Sequence, residues 1–166
     1  GVPQDGVSPE AARAWFLDGV VAVADHAAAR GVTVALEPEP GHLIATCDNF
    51  VALSYDLADR TAAPLTMALD TGHCLVTGEV EPEAAVETFA PMLGTVAIED
   101  MRRGVHEHLP FGRGDMDIPA ILHALDRSGY QGLISVELSR ESHRAHAAIP
   151  ESIAYLRTLA PSPETV

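Results

Sequence analysis

The sequence predicts an α/β fold assembled from parallel βαβ units, and three observations support this prediction. Helical segments alternate four times with short apolar runs rich in β-branched residues. Each run has the length and composition of a strand that is buried on both faces, as in a parallel sheet. An acidic residue directly follows each run, so carboxylates collect at the carboxyl ends of the predicted strands.

The first unit begins with the clearest helix signals in the chain. Ser8 is a favourable N-cap and Pro9 suits the first helical position. An Ala-rich helix then extends to Gly31, which suits a left-handed C-cap. Residues 32–36 form the first predicted strand, which ends at the Glu-Pro-Glu-Pro-Gly segment that starts with Glu37.

The following units repeat this order. The predicted helices are 48–59, 82–92, 118–128 and 150–159, and the predicted strands are 65–69, 95–98 and 133–136. A long loop through Asp117 is predicted to join the third strand to its helix. Strands and helices in this number fit either a small doubly wound sheet or half of a (β/α)8 barrel.

Acids at the strand ends favour the barrel. They are Glu37, Asp70, Glu99 with Asp100, and Glu137. In (β/α)8 enzymes the catalytic groups come from several strand ends at one rim. A dinucleotide-binding sheet needs a Gly-rich turn after its first strand, which residues 37–41 do not supply. Residues 1–166 are therefore predicted to form a single domain of TIM-barrel type that supplies about four βα units.

The length of the chain makes this a partial barrel. The sequence has 166 residues, whereas a (β/α)8 barrel takes roughly 250. Half a barrel leaves two unpaired edge strands. We therefore expect the missing strands to come from an N-terminal segment absent from this sequence or from a second chain, and a homo-oligomer is one possibility.

Composition excludes several classes of function. All ten basic residues are Arg, so a Schiff-base or P-loop lysine within this chain is excluded. The net charge of −14 opposes binding to nucleic acids and anionic membranes. Cys47 and Cys74 form neither a CxxC pair nor a disulfide framework, which favours a reducing cytoplasm. Small molecules and metal cations are the expected partners.

Carboxylates at the ends of buried strands need a positive charge to neutralise them. Glu37, Asp70 and Glu137 offer oxygen ligands of the kind that suit Mg²⁺, Mn²⁺ or Co²⁺. The alternative for each acid is that it caps the following helix. Three acids at equivalent positions of different units favour a divalent metal.

Four segments carry a resemblance to a known family. They are Glu37-Pro38-Glu39-Pro40, Asp70-Thr71-Gly72-His73, the segment 111–117 and Ser135-Val136-Glu137. Together they resemble the C-terminal half of the xylose-isomerase-like TIM-barrel superfamily, which includes the sugar phosphate isomerase/epimerase family. The resemblance covers essentially the whole chain. It implies a divalent-metal-dependent isomerase or epimerase that acts on a sugar or hydroxy-ketone through a metal-stabilised enediolate.

The resemblance also implies residue roles. Glu37 and Glu137 would bind the metal and act as the paired acid and base, and Asp70 would be a ligand only. His73 and Arg103 would bind the substrate. Where the family usually has a ligand histidine, this chain has Ala97.

Three accounts of the Ala97 position remain open. His106 or His108 supplies the missing ligand, the metal keeps a water there, or the site is lost. For the two histidines, which alternate around a glutamate, a solvent-exposed loop is the alternative. His42 is a further candidate for substrate binding. Arg140, shortly after the last strand, is a candidate for recognising a phosphate or carboxylate group, with helix capping as its alternative.

Three other functions stay open at this point. One is a non-catalytic barrel subunit or binding module whose site has decayed. Another is a metal-dependent lyase or dehydratase that uses the same chemistry. The last is a hydrolase like endonuclease IV, against which the net charge of −14 and the alanine at position 97 both argue.

Overall fold

The computed structural model describes residues 1–2 and 4–159. In chain order the helices are α1 (Pro9–Ala28), α2 (Cys47–Ala58), α3 (Thr71–Thr77), α4 (Pro82–Phe89), α5 (Ile118–Arg127) and α6 (Ala145–Leu159). The strands are β1 (Val34–Leu36), β2 (Leu65–Asp70), β3 (Leu93–Ile98), β4 (Asp100–Arg102), β5 (Val105–Leu109) and β6 (Ile134–Val136). Two 3₁₀ turns, Ala90–Met92 and Ser139–Arg144, complete the regular structure of this part of the chain. None of these helices is long and apolar enough to span a membrane.

Strands β1, β2, β3 and β6 form one parallel sheet in that order. Neighbouring strands are joined by segments that contain helices, which is the connection that parallel strands require. This architecture confirms the predicted α/β class and is that of a partial (β/α)8 barrel. Because all four strands run the same way, their carboxyl ends meet at one rim.

The two faces of the sheet differ in side-chain size. Met67, Leu69, Val96 and Ile98 are all at most 1% exposed and pack with Phe50 of α2 in the hydrophobic core. The residues that alternate with them point to the opposite face. That face carries small or polar side chains, including the register pairs Ala35 with Thr66 and Ala97 with Ser135. The helices therefore cover one face, and the other is the face that would line a barrel.

Local structure departs from the sequence prediction in two places. The predicted loop through Asp117 contains an antiparallel hairpin formed by β4 and β5. The segment after Asp70, expected to be a polar loop, forms the short helix α3 directly. The sequence did not predict the hairpin because its strands are short and polar. It did not predict α3 because seven residues are too few to show a helical apolar period.

Helix and strand bounds also moved by a few residues. The first strand begins at Val34 rather than residue 32, and the last helix begins at Ala145 rather than Pro150, which lies inside it. Asp117 caps the N-terminus of α5, because its side chain accepts a hydrogen bond from the backbone N–H of Ala120. These shifts leave the predicted order of the four parallel strands unchanged.

Asp100 fixes the loop that follows the hairpin. This carboxylate is 2% exposed. Its Oδ2 accepts hydrogen bonds from the backbone N–H groups of Gly112 and Arg113 at 2.8 and 3.0 Å. Its Oδ1 accepts a hydrogen bond from the backbone N–H of Met116 at 3.1 Å. Gly114 lies so close that a Cβ there would be 2.3 Å from Asp100 Oδ1. The segment 112–116 therefore wraps around one buried carboxylate.

Candidate functional site

Four acids from four strand ends lie at the same rim of the sheet. Glu37 follows β1, Asp70 ends β2, Glu99 follows β3 and Glu137 follows β6. The backbone N–H of Glu137 donates to the carbonyl of Ile98, which places it beside the end of β3. Burial raises the pKa of Glu37, and the negative charges of Asp70 and Glu137 raise it further, against the lowering effect of His73. The four carboxylates thus share one electrostatic environment.

Asp70 uses its two oxygens differently. Oδ1 caps α3 by accepting hydrogen bonds from the backbone of Gly72 at 2.8 Å and of His73 at 3.1 Å. Oδ2 is buried and has no hydrogen-bond partner among the described residues. The helix-capping alternative therefore accounts for one oxygen of Asp70, and the other remains available to a cation.

His73 is held in one tautomer. Its Nδ1 lies 2.9 Å from the carbonyl oxygen of Pro38, which can only accept, so Nδ1 carries the proton of the neutral ring. Nε2 is then a bare acceptor. It lies 3.1 Å from Nε2 of His106 and 3.5 Å from Oδ2 of Asp70. The side chain of His73 is buried and fixed.

Strand β5 brings two more imidazoles to the rim. His106 and His108 are two residues apart and so point to the same side of the strand. Their ring centroids lie 4.8 and 6.1 Å from that of His73. His108 Nδ1 lies 4.0 Å from both Asp70 Oδ2 and Glu99 Oε2. The structure therefore places both histidines in the cluster on strand β5, where His106 is exposed and His108 is partly buried.

Glu99 is the most deeply buried acid of the rim, at 0% exposure. Burial and the nearby charge of Asp70 raise the pKa of Glu99 well above its usual range. Neither of its oxygens has a hydrogen-bond partner in the described part of the chain. The sequence marked Glu99 only as an acid at a strand end. Glu99 is two residues from Ala97, so in an extended chain the two side chains point to the same side. This spacing could have indicated that Glu99 lies near the position where the family usually has a ligand histidine.

Gly72 provides the space that Glu99 occupies. A Cβ at Gly72 would lie 2.3 Å from Oε1 of Glu99 and 2.7 Å from Sδ of Met101. The first turn of α3 can therefore approach the buried carboxylate only because residue 72 has no side chain. This gives a structural reason for the glycine in the Asp-x-Gly-His segment.

Replacing Gly72 with alanine is expected to lower the free energy of unfolding by about 1 to 3 kcal/mol, since the added methyl overpacks the contact with Glu99. Gly19→Ala is the matched control, because Gly19 lies in α1 and a Cβ there would have no atom of another segment within 4 Å. That control should be neutral or slightly stabilising, as alanine favours a helix. Urea denaturation measures both, and equal effects would contradict the close packing at Gly72.

Other residues expected at the site have different partners. The guanidinium of Arg103 pairs with Glu81 at 2.9 Å, and that of Arg140 with Glu107 at 3.3 Å. Both arginines are exposed. His42 is exposed in a turn, where its backbone N–H donates to the carbonyl of residue 39. The structure brings Glu37, Asp70 and the three histidines together, but it directs the two arginines toward other carboxylates.

Ala97 lies beside Asp70 in the sheet. The two are register partners between β2 and β3, and Ala97 in turn pairs with Ser135 of β6. The position where the resemblance places a ligand histidine is thus adjacent to a ligand candidate but carries only a methyl group. Any further donor has to come from another position.

A parallel α/β sheet that gathers acids and imidazoles at the carboxyl ends of its strands has the site architecture of (β/α)8 enzymes. The chain belongs to the xylose isomerase-like TIM barrel family, whose family model matches residues 1–159. The resemblance inferred from the sequence motifs is therefore confirmed at the level of the family.

One curated relative of the chain is an isomerase. The chain is 28% identical over 150 residues to 2-oxo-tetronate isomerase from Cupriavidus necator, a match that covers 87% of this chain and 53% of that protein. It therefore spans about half the length of this curated relative.

Solved structures show the same fold. The structure of the IOLI protein with a zinc atom has a TM-score of 0.73 at 21% identity, over 96% of this chain and 60% of that one. The 3-keto-D-glucoside 4-epimerase YcjR from E. coli has a TM-score of 0.72 at 23% identity, over 93% and 57% of the two chains. At these identities the likeness establishes the fold alone.

Proposed function

We propose that this chain supplies the C-terminal half of the active site of a divalent-cation-dependent isomerase or epimerase of sugars or hydroxy-ketones. The reaction is the removal and return of a proton at the carbon between a carbonyl and a hydroxyl group. The observation that carries the proposal is the convergence of four strand-end carboxylates and three imidazoles at one rim.

Glu37 and Glu137 are the proposed pair for proton transfer. They follow β1 and β6, the two outer strands of the sheet, so they reach the rim from opposite sides. The side chain of Glu37 is 42% exposed and therefore accessible to a substrate. A carboxyl pKa raised by burial and by neighbouring acids lies closer to neutral pH, which suits a group that both takes and returns a proton. Either glutamate can begin the reaction, depending on the handedness of the substrate.

The rim residues fit a divalent cation such as Mn²⁺, Mg²⁺ or Co²⁺, because buried carboxylate and imidazole atoms have no hydrogen-bond partner in the part of the chain that the structure describes. The resemblance assigns Glu37, Asp70 and Glu137 to this cation, with His106 or His108 as a further donor. When bound, the cation supplies positive charge that favours loss of the proton next to the carbonyl.

His73 is proposed to position the substrate. Its Nδ1–H is held by Pro38, so its bare Nε2 can accept a hydrogen bond from a substrate hydroxyl in place of the one from His106. Arg103, Arg140 and His42 remain proposed substrate contacts for groups that extend beyond the rim. Both arginines would first have to exchange their present carboxylate partners for the substrate.

Completion of the barrel is part of the proposal. Strands β1 and β6 are the edges of the parallel sheet, and the face opposite the core carries small side chains. Further parallel strands that pair with both edges would place larger side chains against this face. They would come from an N-terminal segment or from a second chain.

Proton exchange into the substrate tests the proposed function. With Mn²⁺ bound, the protein should exchange the α-proton of at least one ketose in deuterated water, as followed by NMR. Glu137→Gln is expected to lower that exchange by about 100-fold or more, since it removes an acid–base group. Glu87→Gln, an exposed glutamate paired with Arg127, should leave the exchange unchanged. No exchange across a broad ketose panel with metal bound would contradict the proposal.

The alanine at position 97 supports a second candidate function, a barrel subunit that has lost its catalytic activity. The family position beside Asp70 lacks its donor in this chain. Elemental analysis separates the two, because a decayed site contains no stoichiometric metal after purification without chelators.

A further inference from the structure

We propose that this chain holds its divalent cation on Asp70, Glu99 and His108, so that Glu99 and His108 together replace the donor that Ala97 lacks. This assignment differs from the set of Glu37, Asp70 and Glu137 that the resemblance implies. The binding itself does not depend on the proposed function, and only the use of the cation in proton transfer rests on it.

Unpartnered buried atoms single out these three residues. Among the described residues, the buried side-chain atoms without a hydrogen-bond partner are Oδ2 of Asp70, both carboxylate oxygens of Glu99 and Nδ1 of His108. Asp70 and Glu99 are 2% and 0% exposed, so water does not solvate them from outside. Burying such groups without a partner is costly. All four atoms belong to one cluster, which a single shared partner would satisfy.

The distances suit a cation. One ligand atom from each of the three residues lies within 4.8 Å of the others, and His108 Nδ1 is 4.0 Å from an oxygen of each acid. An ion with bonds of about 2.0 to 2.3 Å fits between donors at this spacing after small side-chain adjustments. Two carboxylates and one neutral imidazole also balance the charge of a divalent ion.

His73 and Glu37, two further donors at the rim, are already engaged or solvated. Nδ1 of His73 donates to Pro38, and its Nε2 faces Nε2 of His106 at 3.1 Å. The carboxylate of Glu37 is 42% exposed and is therefore in contact with solvent. A proton shared between Asp70 and Glu99 would pair one oxygen of each acid, but it would leave the second Glu99 oxygen and His108 Nδ1 without a partner among the described residues. A single cation between the three residues would serve all of them at once.

This assignment separates two roles that the resemblance combines. With the cation on the inner residues, Glu37 and Glu137 do not have to bind metal and are free to transfer protons. Of the three inner side chains, that of His108 on strand β5 is the most exposed, at 12%.

Equilibrium binding of Mn²⁺ to the full chain, followed by the EPR signal of free Mn²⁺, tests the inference. Glu99→Gln and His108→Asn are each expected to raise the Kd for Mn²⁺ at least tenfold. Glu37→Gln is expected to change it less than threefold. Glu107→Gln is the matched surface control, because Glu107 lies between the two histidines of β5 but pairs with Arg140 instead.

Thermal unfolding without metal shows whether the variants are folded. Glu99→Gln should unfold at a temperature no lower than the wild type, because it removes an unpartnered buried carboxyl group. Mn²⁺ should raise the unfolding temperature of the wild type and of Glu37→Gln but not that of Glu99→Gln.

Two results would overturn the assignment. If Glu37→Gln weakens Mn²⁺ binding and Glu99→Gln does not, the cation occupies the outer set and the proposed function stands. If the folded wild type binds no Mn²⁺, both this inference and the cation dependence of the proposed function are wrong.

Discussion

Replacing Asp70 with asparagine is expected to abolish measurable Mn²⁺ binding and to lower α-proton exchange by about 1,000-fold or more, a barrier increase of about 4 kcal/mol. Asp70 belongs to both the inner and the outer candidate sets, so its loss affects the cation under either assignment. The amide places N–H donors where the carboxylate offered Oδ2 to the cluster. The expected effect on function is therefore larger than for any other single rim residue.

The free energy of unfolding should change much less than the activity in Asp70→Asn. Asparagine is as good an N-cap as aspartate, and its carbonyl oxygen can still accept from the backbone of Gly72 and His73. The free energy of unfolding is expected to change by at most about 1 kcal/mol. Asp70→Ala removes the cap as well and should be less stable than Asp70→Asn. Wild-type Mn²⁺ affinity in folded Asp70→Asn would contradict the placement of the cation.

Replacing Asp100 with alanine is expected to lower the free energy of unfolding by about 3 kcal/mol or more, without involving the cation. The change leaves three backbone N–H groups of the segment 112–116 without their acceptor. Hydrogen bonds to a charged acceptor contribute about 1.5 to 3 kcal/mol each, and their donors are partly buried here. Urea denaturation measures the loss.

Asp126→Ala is the control for this experiment. Asp126 is an exposed acid of α5, and its replacement should change stability by no more than about 0.5 kcal/mol. Asp100→Asn should fall between the two, since one of its atoms can still accept. If Asp100→Ala is as stable as the control, the carboxylate does not hold the loop in the way the hydrogen bonds indicate.

The sequence predicted the parallel sheet well because the signals for it are local. The cap at Ser8 marks the start of the first helix, and each strand of the parallel sheet coincides with a short apolar run. The acids at the strand ends could be predicted to share a rim, because parallel strands place their carboxyl ends on one side. Glu37, Asp70 and Glu137 were located by this reasoning alone.

What the sequence could not show depends on contacts across the fold. Whether His106 and His108 face the rim depends on the hairpin, whose short polar strands carry no clear apolar pattern. The burial of Glu99 depends on the approach of Gly72 from a neighbouring strand end. The partners of Arg103 and Arg140 likewise lie on other segments of the chain. Spacing along the sequence fixes none of these contacts.

A titration of proton exchange with metal tests the central claim most directly. The protein is dialysed against a chelator, Mn²⁺ is added back in steps, and incorporation of deuterium into a ketose that it exchanges is measured by NMR. We expect negligible exchange without metal and a rise that saturates near one equivalent of Mn²⁺. Exchange that is unaffected by removal of the metal, or absent with Mn²⁺ bound across the ketose panel, would contradict it.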